Sequence, residues 1–158
     1  MQRPVKHVRD SRTEQIQIIM PQHINGYNRL FGGQLVEWID IVAGVVARRH
    51  SNCKVTTVSI DHLHFKAPAY VDNTIVLIGQ ITYVGMTSME VRVDTFVEHL
   101  NGEKQLVNRA FLTMVALDDQ ERPTIVPALE LETAQERLDW EAGGKRSALR
   151  KQRSIEQF

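Results

Sequence analysis

The chain has 158 residues, 42% of them hydrophobic, with 19 Lys and Arg against 19 Asp and Glu; that is enough to bury one real core and too little for two comfortable domains. Zero net charge excludes the broad basic field that gathers nucleic acid or anionic membrane, so an anionic ligand has to be met locally. One cysteine, Cys53, excludes an intrachain disulfide framework, and with neither a signal-peptide core in MQRPVKHVRD nor a run of about 18 apolar residues to span a bilayer, a soluble, cytoplasmic protein is expected.

Residues 1–12 read as a polar arm. Residues 13–20 alternate as a strand, with Ile16 and Ile18 on one side, and Pro21 stops it. After the loop QHINGYNR, residues 33–50 carry Leu35, Val36, Trp38, Ile39, Ile41, Val42, Ala43, Val45, Val46 and Ala47, which spread over most of a helical wheel. At about 100° per residue, Gly33, Glu37, Asp40 and Gly44 fall within one narrow seam. The expectation is a helix buried on nearly all sides apart from a polar stripe.

The chain to residue 117 reads as β. In KVTTVSIDHLHFKA the apolar phase switches from Val58 and Ile60 to Leu63 and Phe65, which predicts a bulge near Asp61 and His62. Asp72-Asn73 makes a turn, and TIVLIGQITYV and SMEVRVDTFVEHL are strands joined by a short GMTS turn. Met89, Val91 and Val93 alternate there with Glu90, Arg92 and Asp94. Asn101-Gly102 signals a two-residue hairpin into KQLVNRAFLTMVALD. Residues 118–127 form a loop, residues 129–140 an acidic amphipathic helix, and Gly143-Gly144 ends it. The closing KRSALRKQRSIEQF, with Lys145, Arg146, Arg150, Lys151 and Arg153, reads as a solvated, fraying segment. The fold class is α+β, a long antiparallel sheet wrapped around one helix, with one domain over residues 13–127 between the arm and a C-terminal segment over 128–158.

The usual nucleophile and phosphate signatures are absent. No serine sits in G-x-S-x-G, and no P-loop or G-x-G-x-x-G appears. His62 and His64 would share a strand face, but spacing supplies no third ligand, so no metal site is assigned. What remains is the seam. Gly32 and Gly33 let a substrate approach a helix start whose free N–H groups can meet a carbonyl or oxyanion, and Asp40 stands about two turns further on. A glycine-eased helix start with two structural carboxylates is the competing reading. A buried carboxylate without a partner costs several kcal/mol, which makes Asp40 the residue in need of a reason. A seam left open by a single layer of sheet also suggests a symmetric partner.

HINGYNRLFGGQLVEWIDIVAGVVARRH, continuing through TVSIDHLHFKAPAYVDNTIVLIGQITYVGMTSMEVRV to NRAFLTMVALD, resembles the hotdog-fold acyl-CoA thioesterases of the YciA and cytosolic acyl-CoA hydrolase type over roughly residues 13–118. The resemblance implies a two-hotdog dimer, commonly three of them in a hexamer, that hydrolyses acyl-CoA to free acid and CoA-SH. It implies an active site at the dimer interface, with an Asn from the loop before the helix and an Asp within the helix from opposite subunits; here these fall on Asn25 and Asp40. Gly32 and Gly33 would polarise the thioester carbonyl, and Asp40 would act as general base or as nucleophile. The resemblance also suggests Lys66, Gly85, Thr87 and Ser88 for CoA, with no cofactor beyond CoA as part of substrate and product. Two departures from the family pattern, Ile41 directly after Asp40 and YNRL before FGG, bear on substrate preference. A non-catalytic acyl-CoA sensor is the alternative within the fold. A dehydratase would need a histidine near the helix start, a place His23 does not occupy.

Overall fold

The protein is described here by a computed structural model over residues 2–157. Its elements in chain order are β1 (Val5–His7), α1 (Val8–Ser11), β2 (Thr13–Ile18), a 3-10 turn (Pro21–His23), α2 (Gly32–Ser51), β3 (Lys54–Phe65), β4 (Thr74–Val84), β5 (Ser88–Glu98), β6 (Lys104–Leu117), β7 (Ala128–Glu130) and α3 (Ala134–Glu156).

Helix α2 is the axis of the molecule. It ends at Asn52, whose left-handed backbone (φ 56°) lets its N–H reach the Arg48 carbonyl, with Arg48, Arg49 and His50 in the negative last turn. Leu35, Trp38, Ile39, Val42, Ala43, Val46 and Ala47 are buried, each larger side chain contributing about 1.5–3 kcal/mol of transfer free energy. They pack on a five-stranded antiparallel sheet of order β2-β4-β5-β6-β3. Period-two alternation turns Leu77, Ile81, Met89, Val91, Val93, Leu112 and Met114 toward the helix. Contact is closest at Gly79, where a Cβ would lie 2.7 Å from Val42 Cγ1 and 3.0 Å from Val46 Cγ2, so no larger residue fits beneath the helix.

The expected phase switch in β3 is present. Its register against β6 shifts between Thr57 and Ser59 and again between Asp61 and His64, and His62 takes a left-handed backbone at φ 55°. Asp72 turns at φ 74° and Gly102 at φ 88°. The β5–β6 loop is longer than the two residues expected, closing through the His99 N–H to the Glu103 carbonyl at 2.8 Å.

Three expectations need correction. Helix α2 is not buried on nearly all sides outside its polar stripe: a single layer of sheet covers one side, leaving the apolar Ile41 49% exposed. The segment after residue 128 begins as a strand, β7, which pairs in parallel with β1 of the N-terminal arm. Val8 and Ser11 of that arm are buried. Finally, Gly143-Gly144 does not end a helix. Thr133 caps α3 in a reciprocal box with Glu136, and the helix runs through the glycines because a Cβ at Gly143 would lie 2.6 Å from Tyr83 Cβ and 3.0 Å from Glu90 Oε1. The roughly 1 kcal/mol that glycine costs inside a helix is offset by that close seat on the outer face of the sheet.

The basic tail is accordingly anchored rather than frayed. Asp139, Gly143, Arg146 and Arg150 recur at helical spacing on the inner side of α3. Asp139 meets Arg92 at 3.0 Å. Arg146 grips Glu90 with two hydrogen bonds of 3.0 and 2.8 Å, and Arg150 reaches it at 3.3 Å. Thr82 donates a further hydrogen bond of 2.6 Å to Glu90 Oε1. Burial works against the charge of Glu90, but the bonds from Arg146 and Thr82 and the nearby guanidinium charges prevail and hold its carboxyl below its usual range.

Candidate functional site at the helix seam and the sheet edge

The last strand of the sheet on one side is β3, whose outer edge pairs with nothing among the described residues. Its alternation turns Val55 and Thr57 toward α2, and the Thr57 hydroxyl donates a 2.7 Å hydrogen bond to Asp40 Oδ1. Met114 Sδ lies 3.4 Å from the same hydroxyl. Asp40 is half-buried and held by one oxygen, with no hydrogen-bond partner for Oδ2 among the described residues, at the wall of a cavity of about 380 Å³ shared with Gly44, Arg48, Thr57 and Met114. Sequence reasoning named Asp40 and missed Thr57, because a threonine among β-branched strand residues carries no signal until the strand is laid beside the helix.

At the other end of the seam α2 starts at Gly32 without a side-chain cap. The Gln34 and Leu35 N–H groups turn back to the Phe31 carbonyl, and the Gly32 and Gly33 amides have no backbone acceptor among the described residues at the positive end of the helix. A Cβ at Gly33 would meet the Phe31 ring at 2.6 Å, so a methyl cannot be added without displacing it. Gly32 faces the Phe65 ring, 3.6 Å from where its Cβ would be. Phe65 in turn walls a cavity of about 320 Å³ with Asn25, Leu35, Lys66 and Pro68.

Asn25 is exposed, and its Oδ1 accepts the Tyr27 and Arg29 N–H groups at 2.9 and 3.3 Å. That local turn fixes the loop and leaves the side-chain NH2 without an acceptor among the described residues. Asn25 and Asp40 line different cavities of the one chain, so the chain alone does not bring them together. His23 is engaged structurally, its Nδ1 accepting the Met20 N–H at 2.9 Å and its ring edge-on to Trp38 at 4.9 Å.

The four residues expected for CoA are also separated. Phe65, beside Lys66, pairs with Asn108, whereas Ser88 pairs with Val115 seven positions further along β6, a separation of roughly 20 Å at the rise of a strand. Gly85 is occupied besides: its N–H goes to the Ser88 carbonyl at 2.9 Å and its own carbonyl accepts from Arg3 at 2.6 Å. Thr87 spends its carbonyl on the Ala116 N–H at 3.1 Å. Lys66 and the Gly85–Ser88 turn thus lie at opposite ends of one subunit's sheet. Among the described residues no three His, Cys, Asp or Glu side chains are grouped to hold a metal, and no helix is long and apolar enough to cross a membrane.

Comparison with known proteins fits this architecture. The Thioesterase superfamily profile matches residues 27–102. An uncharacterised acyl-CoA thioester hydrolase of Bacillus subtilis, YkhA, is 36% identical over 92% of this chain and 85% of its own length. An acyl-CoA hydrolase from Staphylococcus aureus, solved with butyryl-CoA, CoA and CoA disulfide, superposes with a TM-score of 0.93 at 31% identity, covering 98% of this chain and 94% of that one. Its structure has also been solved with an asparagine, an aspartate and a threonine individually changed to alanine. An apo-hexameric acyl-CoA thioesterase superposes at 0.91 with 38% identity, covering 96% of this chain and 97% of that one. The chain belongs to the Thioesterase superfamily, within its hotdog-fold acyl-CoA thioesterase family.

Proposed function

We propose that the protein hydrolyses acyl-CoA to a free carboxylic acid and CoA-SH in the cytoplasm, at a site shared by two subunits and with no cofactor other than the CoA of its substrate. The observation that carries this reading is the Thr57–Asp40 pair, a carboxylate positioned by one oxygen and open at the other beside an unpaired strand edge. Support for the residues comes from an interval. In the Staphylococcus aureus hydrolase the asparagine, aspartate and threonine chosen for replacement follow one another at 15 and 17 residues, the intervals that separate Asn25, Asp40 and Thr57.

In this mechanism the thioester carbonyl lies against the Gly32 and Gly33 amides, which stabilise the oxyanion that forms on attack. Asp40 of the partner subunit takes a proton from water, whose oxygen adds to the carbonyl carbon. Collapse of the adduct breaks the C–S bond, and the departing CoA thiolate takes the proton that Asp40 accepted, which restores the carboxylate. Asn25 positions the carbonyl or the water with its free NH2, and Thr57 keeps Asp40 in its rotamer. Two β3 edges running antiparallel would continue the sheet across the pair and bury Val58, which is 60% exposed in the single chain. The hexamer of the relative described above supports three such dimers as the complete assembly.

Release of free thiol from a panel of acyl-CoAs, acetyl to palmitoyl, tests the activity. Saturable turnover on part of the panel is expected; tight binding of every chain without turnover would overturn the reading in favour of a sensor.

A further inference from the structure

We propose that the protein takes acyl-CoA thioesters whose acyl group ends in a carboxylate, and that Arg48 is the residue that recognises that end. The inference deepens the reading of the protein as an acyl-CoA hydrolase and rests on it for the role of Asp40. The cavity of about 380 Å³ that Asp40 walls is a groove between α2 and β3, with Asp40 and Thr57 toward one end, Arg48 toward the other and Val45, Val55 and Met114 between them. Asp40 is the one acidic side chain that lines it. Asp40, Gly44 and Arg48 stand at four-residue intervals on one stripe of the helix, which sets Asp40 and Arg48 roughly 12 Å apart along its axis.

The width of the groove comes from Gly44. A Cβ built there would meet nothing within 4 Å, so no neighbour in the chain demands a glycine at this place, unlike Gly79 and Gly143. Glycine inside a helix is costly relative to alanine. What it supplies is an open floor midway between Asp40 and Arg48, bordered by apolar side chains, which is the shape an alkyl segment fills.

Arg48 differs from the basic residues beside it. Arg49 donates to the Arg12 carbonyl at 3.4 Å and to the Thr13 hydroxyl at 3.1 Å, and the buried His50 ring donates to the Pro127 carbonyl at 2.9 Å. Arg48 is exposed, and its guanidinium has neither a carboxylate partner nor a hydrogen-bond acceptor among the described residues.

In the mechanism proposed above the thioester carbon is brought to Asp40, so the subunit that supplies Asp40 also supplies the groove in which the acyl group continues. The far end of that groove decides which acyl groups suit it. A methyl-ended chain long enough to reach Arg48 covers the guanidinium with hydrocarbon and takes water from a charge that has no other partner. A carboxylate at the same place meets a planar fork of donors that matches it in two parallel hydrogen bonds. Asp40 does not oppose this, because the separation exceeds the Debye length of about 8 Å at physiological ionic strength. The substrate class is therefore the CoA monothioesters of dicarboxylic acids of intermediate length.

The test is equilibrium binding of adipyl-CoA and hexanoyl-CoA, matched in carbon count, to Asp40→Asn, in which hydrolysis is slow, and to Asp40→Asn/Arg48→Met, read by calorimetry. Arg48 is exposed and methionine is a good helix former, so the variant is expected to fold. With Arg48 present, adipyl-CoA should bind about tenfold more tightly than hexanoyl-CoA, the scale of a charge-assisted hydrogen bond, and the preference should shrink with salt. In Arg48→Met it should reverse, and in Arg48→Lys, which keeps the charge without the fork, part of it should survive. Turnover by chains that retain Asp40 should show the same preference in kcat/KM, carried by KM. Equal or weaker binding of adipyl-CoA with Arg48 present, or a preference that Arg48→Met leaves unchanged, overturns the proposal. Because the binding arm needs no hydrolysis, a protein that distinguishes the two esters through Arg48 and turns over neither would count against the hydrolase reading alone. Failure to bind either ester overturns both.

Discussion

Replacing Asp40 with asparagine is expected to leave the protein folded and to reduce acyl-CoA hydrolysis by about 10²- to 10⁴-fold, the usual contribution of a positioned general base. The side chain keeps its shape, and an asparagine oxygen still accepts the Thr57 hydroxyl that now sits 2.7 Å away. What disappears is the oxygen that can take a proton at neutral pH. The loss should therefore fall on kcat with KM nearly unchanged, as when an interaction made only on the way to the transition state is removed. Free-thiol release measured beside thermal unfolding of both proteins checks this. A folded variant retaining more than about a tenth of the wild-type rate would remove Asp40 from the mechanism.

The second large effect is on stability. Glu90 is 1% exposed and is held by two arginines and a threonine. Glu90→Gln keeps the shape and removes the charge, leaving Arg146, with 17% side-chain exposure, without its carboxylate and Arg150, with 18%, with only Asp61 at 3.7 Å. Breaking one partner of a buried pair costs about 3–5 kcal/mol, much of it the penalty for the charge left behind. Urea unfolding monitored at neutral pH should show that loss as a lower midpoint. The pH dependence has a definite sign. The folded carboxyl titrates below its ordinary value, so around that value the unfolded chain binds the proton more readily, and stability falls as pH falls toward the depressed folded pKa. The gap between wild type and Glu90→Gln should be full above about pH 5 and close as the medium is acidified through that window. A gap that stays constant down to pH 3 would show that the charge is not what Glu90 contributes.

The helix and most strands were legible in sequence because burial on one face leaves a period. Gly33, Glu37, Asp40 and Gly44 fell on one stripe, and Met89, Val91 and Val93 alternated against Glu90, Arg92 and Asp94. The β3 bulge was visible for the same reason, as a change of phase between Ile60 and Leu63. The C-terminal helix was misjudged because Gly143-Gly144 is locally a stop signal, and only contact with Tyr83 and Glu90 makes a glycine the right residue there. Glu90 looked like an outward-facing polar residue of an amphipathic strand. Its partners lie 56 and 60 residues away, a distance no local pattern encodes. Thr57 was hidden in the same manner, since its role depends on the register that sets β3 beside α2. Lys66 and the Gly85–Ser88 turn were grouped from resemblance, which names segments without saying which end of which subunit they occupy.

The cavity arrangement has a consequence for assembly. Asn25 with the glycine amides, and Asp40 with Thr57, occupy separate cavities of one chain, so the proposed mechanism works only if two chains complete each other. Mixing subunits tests that most directly. Asn25→Ala and Asp40→Asn proteins, each inactive alone, are unfolded together, refolded as an equal mixture, and their heterodimers counted through different tags. If each site takes Asn25 from one chain and Asp40 from the other, one of the two sites in every heterodimer is intact, and random pairing restores about a quarter of the wild-type rate. A mixture that forms heterodimers yet stays as inactive as its parents would contradict a shared site.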